Sequence, residues 1–207
     1  MNTEASARES AATLFRLPFA ISEIGRGLDA MDEETRVKTV MALGRKELSA
    51  LFEAAAVNPP VRLSDMVPAD VPAMSEVIHE GKNSLGVFTR FQKRFCRPPS
   101  EHPDQLWGYN EQAMRTLTGP GYFVFHRVES GELAVDYRGL PPGKLPQWPT
   151  IIPNSARLSF FIYNGTVDIL RHVSKHVTIG RAYRKGRPMN AWFALVRRIA
   201  RPEGISS

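Results

Sequence analysis

The sequence has a single cysteine, no long hydrophobic run and no signal-like N-terminus. With only Cys96, the chain excludes an internal disulfide and a zinc site built from several cysteines. No segment approaches the roughly 20 apolar residues of a membrane-spanning helix. The first residues also lack the basic and apolar regions of a secretory signal. These absences predict a cytoplasmic protein without a membrane span.

Motifs of the common enzyme classes are missing as well. The sequence contains no phosphate-binding P-loop, no dinucleotide-binding glycine pattern and no nucleophile elbow. His172 and His176 have a spacing that can bind a metal on one helix face, but no third ligand lies nearby in the sequence. We therefore expect no catalytic residue, metal or cofactor, and the pattern favours a binding protein over an enzyme.

The composition is that of an ordinary globular protein, with 43% hydrophobic and 23% charged residues in 207. A chain of this length can bury a sizeable core as one domain. We expect this domain over residues 13–200. A polar, disordered tail is expected over residues 1–12 and a second tail over residues 201–207.

Residues 13–118 show mainly helical patterns. The clearest is the range 32–56, where apolar residues recur at helical spacing after Asp32, a suitable N-cap. Two amphipathic helices are predicted after it, over residues 84–96 and 106–119.

Beyond Gly119 the pattern changes to the two-residue period of strands. Two alternating segments, 121–128 and 132–138, predict a hairpin with a glycine-containing turn. Residues 155–174 return to helical spacing, and residues 176–198 form a final hairpin around Lys185–Pro188. The expected fold class is α+β, with N-terminal helices packed on an antiparallel sheet of two hairpins joined by a crossing helix.

This order of elements, with glycines at Gly121, Gly165 and Gly186, resembles the 4-vinyl reductase domain over residues 119–200. That domain is related to haem-NO-binding and TRAPP-component domains and to deltaproteobacterial domains of similar length. The resemblance implies a cavity that accepts an apolar ligand or an acyl chain. It implies no reaction, and the cysteines that such domains place in the closing hairpin are absent here.

The first functional hypothesis is therefore a small-molecule sensing or binding module. Aromatic residues are dense in the chain, and some could line a pocket between the helices and the sheet. The predicted ligand-binding residues are apolar and mostly aromatic: Phe91, Phe95, Met114, Phe123, Phe161 and Trp192.

The alternative is a basic interaction surface. The chain carries a net charge of +6, and residues 171–201 hold nine Lys or Arg but no Asp or Glu. Such a surface could contact a protein partner, nucleic acid or an anionic membrane, or it could be a solvated sheet edge. Sequence-specific DNA binding is not expected, because no DNA-binding motif is present. The candidate anion-binding residues are Arg181, Arg184, Lys185, Arg187, Arg197 and Arg198.

Cys96 is a third candidate, as a reactive thiol. Lys93, Arg94 and Arg97 flank it, and nearby cations lower the pKa of a thiol. An inert, buried cysteine is the competing interpretation. A homodimer or a complex with a protein partner is also compatible with the sequence.

Overall fold

The structure, a computed structural model, describes residues 3–16, 18, 20–86, 89–112, 119–153 and 165–199. Its centre is a closed barrel of eight antiparallel strands, in which each strand pairs with its neighbours along the chain and the last pairs with the first. The strands are β1 Val77–Asn83, β2 Arg90–Cys96, β3 Gln105–Glu111, β4 Tyr122–Arg127, β5 Leu133–Asp136, β6 Thr166–Ser174, β7 Val177–Arg184 and β8 Arg187–Arg197.

Short helices precede the barrel. They are α1 Thr3–Leu14, α2 Ile21–Ala30, α3 Glu33–Met41, α4 Arg45–Ala54, a 3-10 turn Ala55–Val57 and α5 Leu63–Met66. Asp32 caps α3 as predicted, because its carboxylate accepts a hydrogen bond from the Thr35 amide at 2.9 Å. Every helix in the described ranges is too short or too polar to span a bilayer.

The helices pack on the outer face of β6, β7 and β8. Leu28 of α2 and Leu48 and Phe52 of α4 are buried in one cluster with Ile179 and Val196 of the barrel wall. Their apolar faces therefore cover one side of the barrel, which explains why outward residues such as Ile179 and Val196 are apolar.

The segment that contains α5 closes one end of the barrel. Met66 and Val67 are buried in the cluster of apolar side chains that fills the barrel interior. Arg97, at the end of β2, donates hydrogen bonds to the carbonyl oxygens of Pro68 at 2.6 Å and Val71 at 2.8 Å. We call this the closed end. The connections β1–β2, β3–β4, β5–β6 and β7–β8 lie at the opposite end, because the strands alternate in direction.

The outer face of β3 and β4 is covered by the long connection between β5 and β6. Trp148 of this connection packs on Tyr109 and Tyr122, with ring centroids 5.1 and 6.4 Å apart. The indole N–H of Trp148 donates to Glu76 Oε1 at 2.5 Å. These strands are thus buried on both faces.

The predicted α+β architecture is wrong, and with it the fold that the resemblance to the 4-vinyl reductase domain implied. The sheet has eight strands and closes on itself, instead of two hairpins joined by a crossing helix. The predicted helices at 84–96, 106–119 and 155–174 are replaced, in their described parts, by β2, β3 and β6. Residues 13–118 are therefore not mainly helical.

The two terminal tails predicted from the sequence have different outcomes. The N-terminal tail predicted over residues 1–12 overlaps helix α1, which spans Thr3–Leu14. The C-terminal range 201–207 lies outside the described residues.

Both predicted hairpins are present, as β4–β5 and β7–β8. The second turns through Lys185 and Gly186, which both have positive φ, as a two-residue hairpin turn requires.

Candidate functional site

A lysine lies inside the barrel. Phe91, Lys93 and Phe95 alternate along β2 and point inward, and Lys93 is only 2% exposed. All seven lysines of the chain are in the described residues, and Lys93 alone among them is buried. Because an unpaired ammonium is costly to bury, its surroundings should supply compensating partners.

Three oxygen atoms surround the Lys93 ammonium. Its Nζ atom lies 3.0 Å from Asn110 Oδ1 and 3.5 Å from Asp168 Oδ2, and it also donates to the Tyr137 hydroxyl. Asn110 Nδ2 donates to the same hydroxyl at 2.9 Å. Three oxygens match the three N–H groups of an ammonium. We call Lys93, Asn110, Tyr137 and Asp168 the Lys93 centre.

Aromatic rings enclose the same ammonium. Lys93 Nζ lies 4.9 Å from the ring centroid of Tyr137, 5.1 Å from those of Phe123 and Phe193, and 5.6 Å from that of Phe91. All four distances are within the range of cation–π attraction. The centre therefore combines a charged group, hydrogen-bonding oxygens and an apolar wall.

Cross-strand pairs of glycine and phenylalanine build this wall. Gly81 opposes Phe91, Gly108 opposes Phe123 and Gly180 opposes Phe193 in the strand register. In each pair, a β-carbon on the glycine would lie closer than 3.0 Å to the ring. The absence of a side chain at each glycine lets a ring lie flat against the barrel wall.

Burial shifts the pKa values of Lys93 and Asp168, the ion pair in the Lys93 centre. Loss of hydration lowers the pKa of Lys93 to about 8, although the charge of Asp168 opposes this shift. Loss of hydration also raises the pKa of Asp168, with Lys93 opposing. The two shifts together narrow the difference in proton affinity between the amine and the carboxylate.

Nearer the closed end, His79 and Thr178 also face the interior. The Nε2 atom of His79 is 2.9 Å from the carbonyl oxygen of Met66, and its ring is 4.9 Å from that of Phe95. Burial lowers the pKa of His79 to about 3, so the ring is neutral near pH 7. Within the described residues, His79 Nδ1 and Thr178 Oγ1 are buried without a hydrogen-bond partner.

The structure brings together half of the predicted ligand-binding set. Phe91, Phe95 and Phe123 line the barrel interior around the Lys93 centre. Trp192 is on the outer face, under the helices, between Arg45 and Arg181. Met114 and Phe161 lie outside the described residues.

Cys96 is fully buried on the outer face of β2, in the cluster that includes Trp107 and Trp148. Burial, with a smaller effect from Glu76, raises its pKa to about 12. The thiol is therefore protonated near neutral pH and shielded from solvent, which are conditions that disfavour reaction.

Much of the predicted anion-binding set is engaged in holding the fold together. Arg181 donates to the Met189 carbonyl at 3.0 Å, and Arg197 to the Lys175 carbonyl at 3.1 Å. Arg198 pairs with Glu33, Glu34 and Glu80 and thereby ties α3 to β1. The remaining members are the half-buried Arg184 and the exposed Lys185 and Arg187 of the β7–β8 turn.

The histidine pair noted in the sequence does not sit on a helix. His172 belongs to β6, and His176 lies in the turn before β7. Across the described part of the chain, no three His, Cys, Asp or Glu side chains are grouped so that they could hold a metal ion.

Sequence reasoning missed the Lys93 centre. The helix predicted over residues 84–96 puts Lys93 on its polar face. The available signal was the alternation of Phe91, Lys93 and Phe95, which puts the lysine between two inward rings if the segment is a strand. Its partners come from β3, from the residue after β5 and from β6, and only the closed barrel brings these distant segments together. Family models, curated proteins and solved structures provide no match to this chain.

Proposed function

We propose that the protein binds a small apolar molecule inside the barrel, with an oxygen of the ligand held by the Lys93 centre. The observation that carries the proposal is the buried Lys93–Asp168 pair beside the cluster of apolar side chains in the barrel interior. Buried ion pairs contribute little net stability compared with well-packed apolar side chains. Charged groups with shifted pKa values inside a barrel are more typical of a binding site.

The chemistry of the centre defines the ligand's polar end. Lys93 and Asn110 present N–H donors, so the ligand group that replaces one of their present partners is a hydrogen-bond acceptor. The raised pKa of Asp168 favours a neutral oxygen over a second carboxylate beside it. A carbonyl oxygen satisfies both conditions.

The aromatic wall defines the rest of the ligand. Phe91, Phe123 and Phe193 present apolar rings around Lys93 Nζ. An eight-stranded barrel has an interior that side chains can fill or that can hold one small ligand. The ligand in this proposal is therefore a small apolar molecule with one carbonyl group, entering from the end opposite the closed end.

Hexanamide is a suitable test ligand, because it joins a short apolar chain to a neutral carbonyl group. We expect millimolar hexanamide to raise the melting temperature of the wild-type protein, as mass action requires, with little dependence on salt. Lys93→Met should weaken binding at least tenfold, and Lys185→Met, at an exposed lysine, should leave it unchanged. Calorimetric titration at a temperature where circular dichroism shows both variants folded measures these affinities.

Two results would contradict the proposal. One is an absence of binding to the wild type. The other is equal binding to the wild type and to a folded Lys93→Met variant, which would place hexanamide away from the Lys93 centre. The cytoplasm is the compartment proposed for this activity, and cell fractionation tests that separately.

A further inference from the structure

The Lys93 centre has the groups that imine formation needs. This reaction joins a lysine amine to an aldehyde or ketone, and it requires an unprotonated amine, a neighbouring group that exchanges protons, and little competing water. Lys93 Nζ has Asp168 Oδ2 at 3.5 Å and the hydroxyl of Tyr137 beside it. Lys93 is only 2% exposed, so the surrounding rings shield its amine from water.

We propose that Lys93 forms a reversible imine with an aldehyde or ketone bound in the barrel. This inference rests on the proposed function, since the carbonyl compound must first bind beside Lys93. It adds the class of ligand and a covalent step. The other six lysines also lie in the described residues, and none of them is buried.

The first half of the step is a proton transfer followed by addition. Lys93 gives a proton to Asp168, which leaves a neutral amine and a carboxylic acid. The Nζ lone pair then forms a bond to the carbonyl carbon, and the π electrons of the carbonyl move to its oxygen. A proton passes from nitrogen to that oxygen, and the product is a carbinolamine.

The second half releases water. Protonated Asp168 gives its proton to the carbinolamine hydroxyl, which leaves as water while the nitrogen lone pair forms the C=N bond. The product is a protonated imine beside the Asp168 carboxylate. Ammonium and carbonyl have become iminium and water, and no electron is gained or lost. Addition of water reverses the step.

The surroundings of Lys93 also favour imine formation at this lysine over the other lysines. Burial lowers the pKa of Lys93 to about 8, so a usable share of this amine is neutral near pH 7.5. The aromatic rings that stabilise the Lys93 ammonium at 4.9 to 5.6 Å can also contact an iminium cation at nearly the same position. Lys185, by contrast, is exposed in the β7–β8 turn.

The test traps the imine. Wild-type protein is incubated with hexanal and sodium cyanoborohydride, which reduces an imine to a stable secondary amine. Peptide mass spectrometry then measures the extent of labelling at each lysine and at the N-terminal amine. We expect Lys93 to be labelled at least tenfold faster than any other lysine at pH 7.5, and its labelling rate to rise with pH around 8. Lys93→Arg should lose this label, and Lys185→Arg should keep it.

Asp168→Asn provides a second variant that retains the amine. It removes the acid that protonates the leaving hydroxyl, so we expect labelling of Lys93 to slow at least tenfold, although loss of the Asp168 charge leaves the amine less protonated. Labelling of Lys93 at full speed in this variant would overturn the role of Asp168 in the step.

The two proposals fail in different ways. If hexanamide binds at the Lys93 centre but hexanal labels only exposed lysines and the N-terminal amine, the imine inference is wrong and the proposed function stands. If hexanamide does not bind and hexanal does not label Lys93, both are wrong. Preferential labelling of Lys93 supports the imine inference.

Discussion

Lys93 on β2 and Asp168 on β6 form an ion pair inside the barrel, with Nζ and Oδ2 3.5 Å apart. The two strands are not neighbours in the sheet, so the pair crosses the barrel interior rather than following its wall. Each partner is the main compensation for the buried charge of the other. This dependence has direct consequences for stability.

Loss of Lys93 should destabilise the protein strongly. Lys93→Met leaves Asp168 buried without its partner, and breaking a buried pair in this way costs about 3–5 kcal/mol of the free energy of unfolding. Lys93→Met combined with Asp168→Leu should recover a large part of that loss, because no unpaired charge remains. Urea denaturation measures both effects. Lys185→Met is the control, with an expected change within about 0.5 kcal/mol. Equal stability of the single and double variants would contradict this coupling.

An added amine should replace the missing lysine side chain. Lys93→Ala leaves the rings of Phe91, Phe123 and Phe193 and the Asp168 carboxylate around a vacated ammonium position. We expect n-butylammonium to raise the melting temperature of this variant in a concentration-dependent way. n-Butanol, which has a similar size and no charge, should have a much smaller effect on this variant, and n-butylammonium should not affect the wild type. Equal effects of the amine and the alcohol would show that the rings and Asp168 do not select a cation.

The glycines of the barrel wall should be sensitive to alanine. Gly180→Ala and Gly108→Ala each place a methyl group against a phenylalanine ring, and at Gly108 the methyl also meets the backbone oxygen of Arg94 at 2.5 Å. We expect losses of about 1–3 kcal/mol, with Gly108→Ala the more severe, because a backbone atom cannot rotate away. The control is Gly139→Ala, at a glycine with open space around it. Chemical denaturation gives the ranking, and a Gly139→Ala loss as large as the others would contradict the argument.

Acid should destabilise the protein partly through His79. The pKa of His79 is lowered to about 3 in the folded protein and is near 6.5 when the chain unfolds. The unfolded chain therefore takes up a proton between these values that the folded protein does not. The His79 contribution is fully present above pH 6.5 and falls by about 3 kcal/mol by pH 4.

The measurement is the free energy of unfolding from pH 7 to pH 4. His79→Gln should show a shallower decline than the wild type over this range, and His102→Gln, at a half-buried histidine outside the barrel interior, is the matched control. The decline should not vanish, since His176 has a pKa lowered to about 4. A His79→Gln variant with the wild-type slope would be inconsistent with a neutral, buried His79.

The hairpins were predictable because their signals are local. Gly131 and the Lys185–Gly186 turn adopt positive φ, and the flanking strands have strand-like compositions. These features depend on a few adjacent residues, and distant packing does not change them.

The helices predicted over the sequences of β3 and β6 are wrong for a physical reason. Both strands have buried residues on both faces, since the barrel interior covers one side, and the β5–β6 connection or the helices cover the other. Such strands lose the alternation of apolar and polar residues that identifies a half-buried strand. Their apolar residues then match helical spacing by chance.

The Lys93 centre could not be predicted, for a related reason. Its members come from four different strands or strand ends, and their proximity depends on barrel closure. Phe91, Phe95 and Phe123, which aromatic density singles out as pocket residues, lie in the barrel interior. The alternation of Phe91, Lys93 and Phe95 predicts an inward lysine only once the segment is known to be a strand.

Closure of the barrel also sets an order for folding during synthesis. β1 cannot complete its strand pairing until β8 has been synthesised. Glu80 and Arg198, which are 118 residues apart in the chain, meet at the seam between these strands. Until the last strand leaves the ribosome, β1 and β7 both have unpaired edges that can join other chains. A ribosome that stalls before residue 187 would therefore hold a nascent chain with two open edges, the kind of chain that chaperones need to protect.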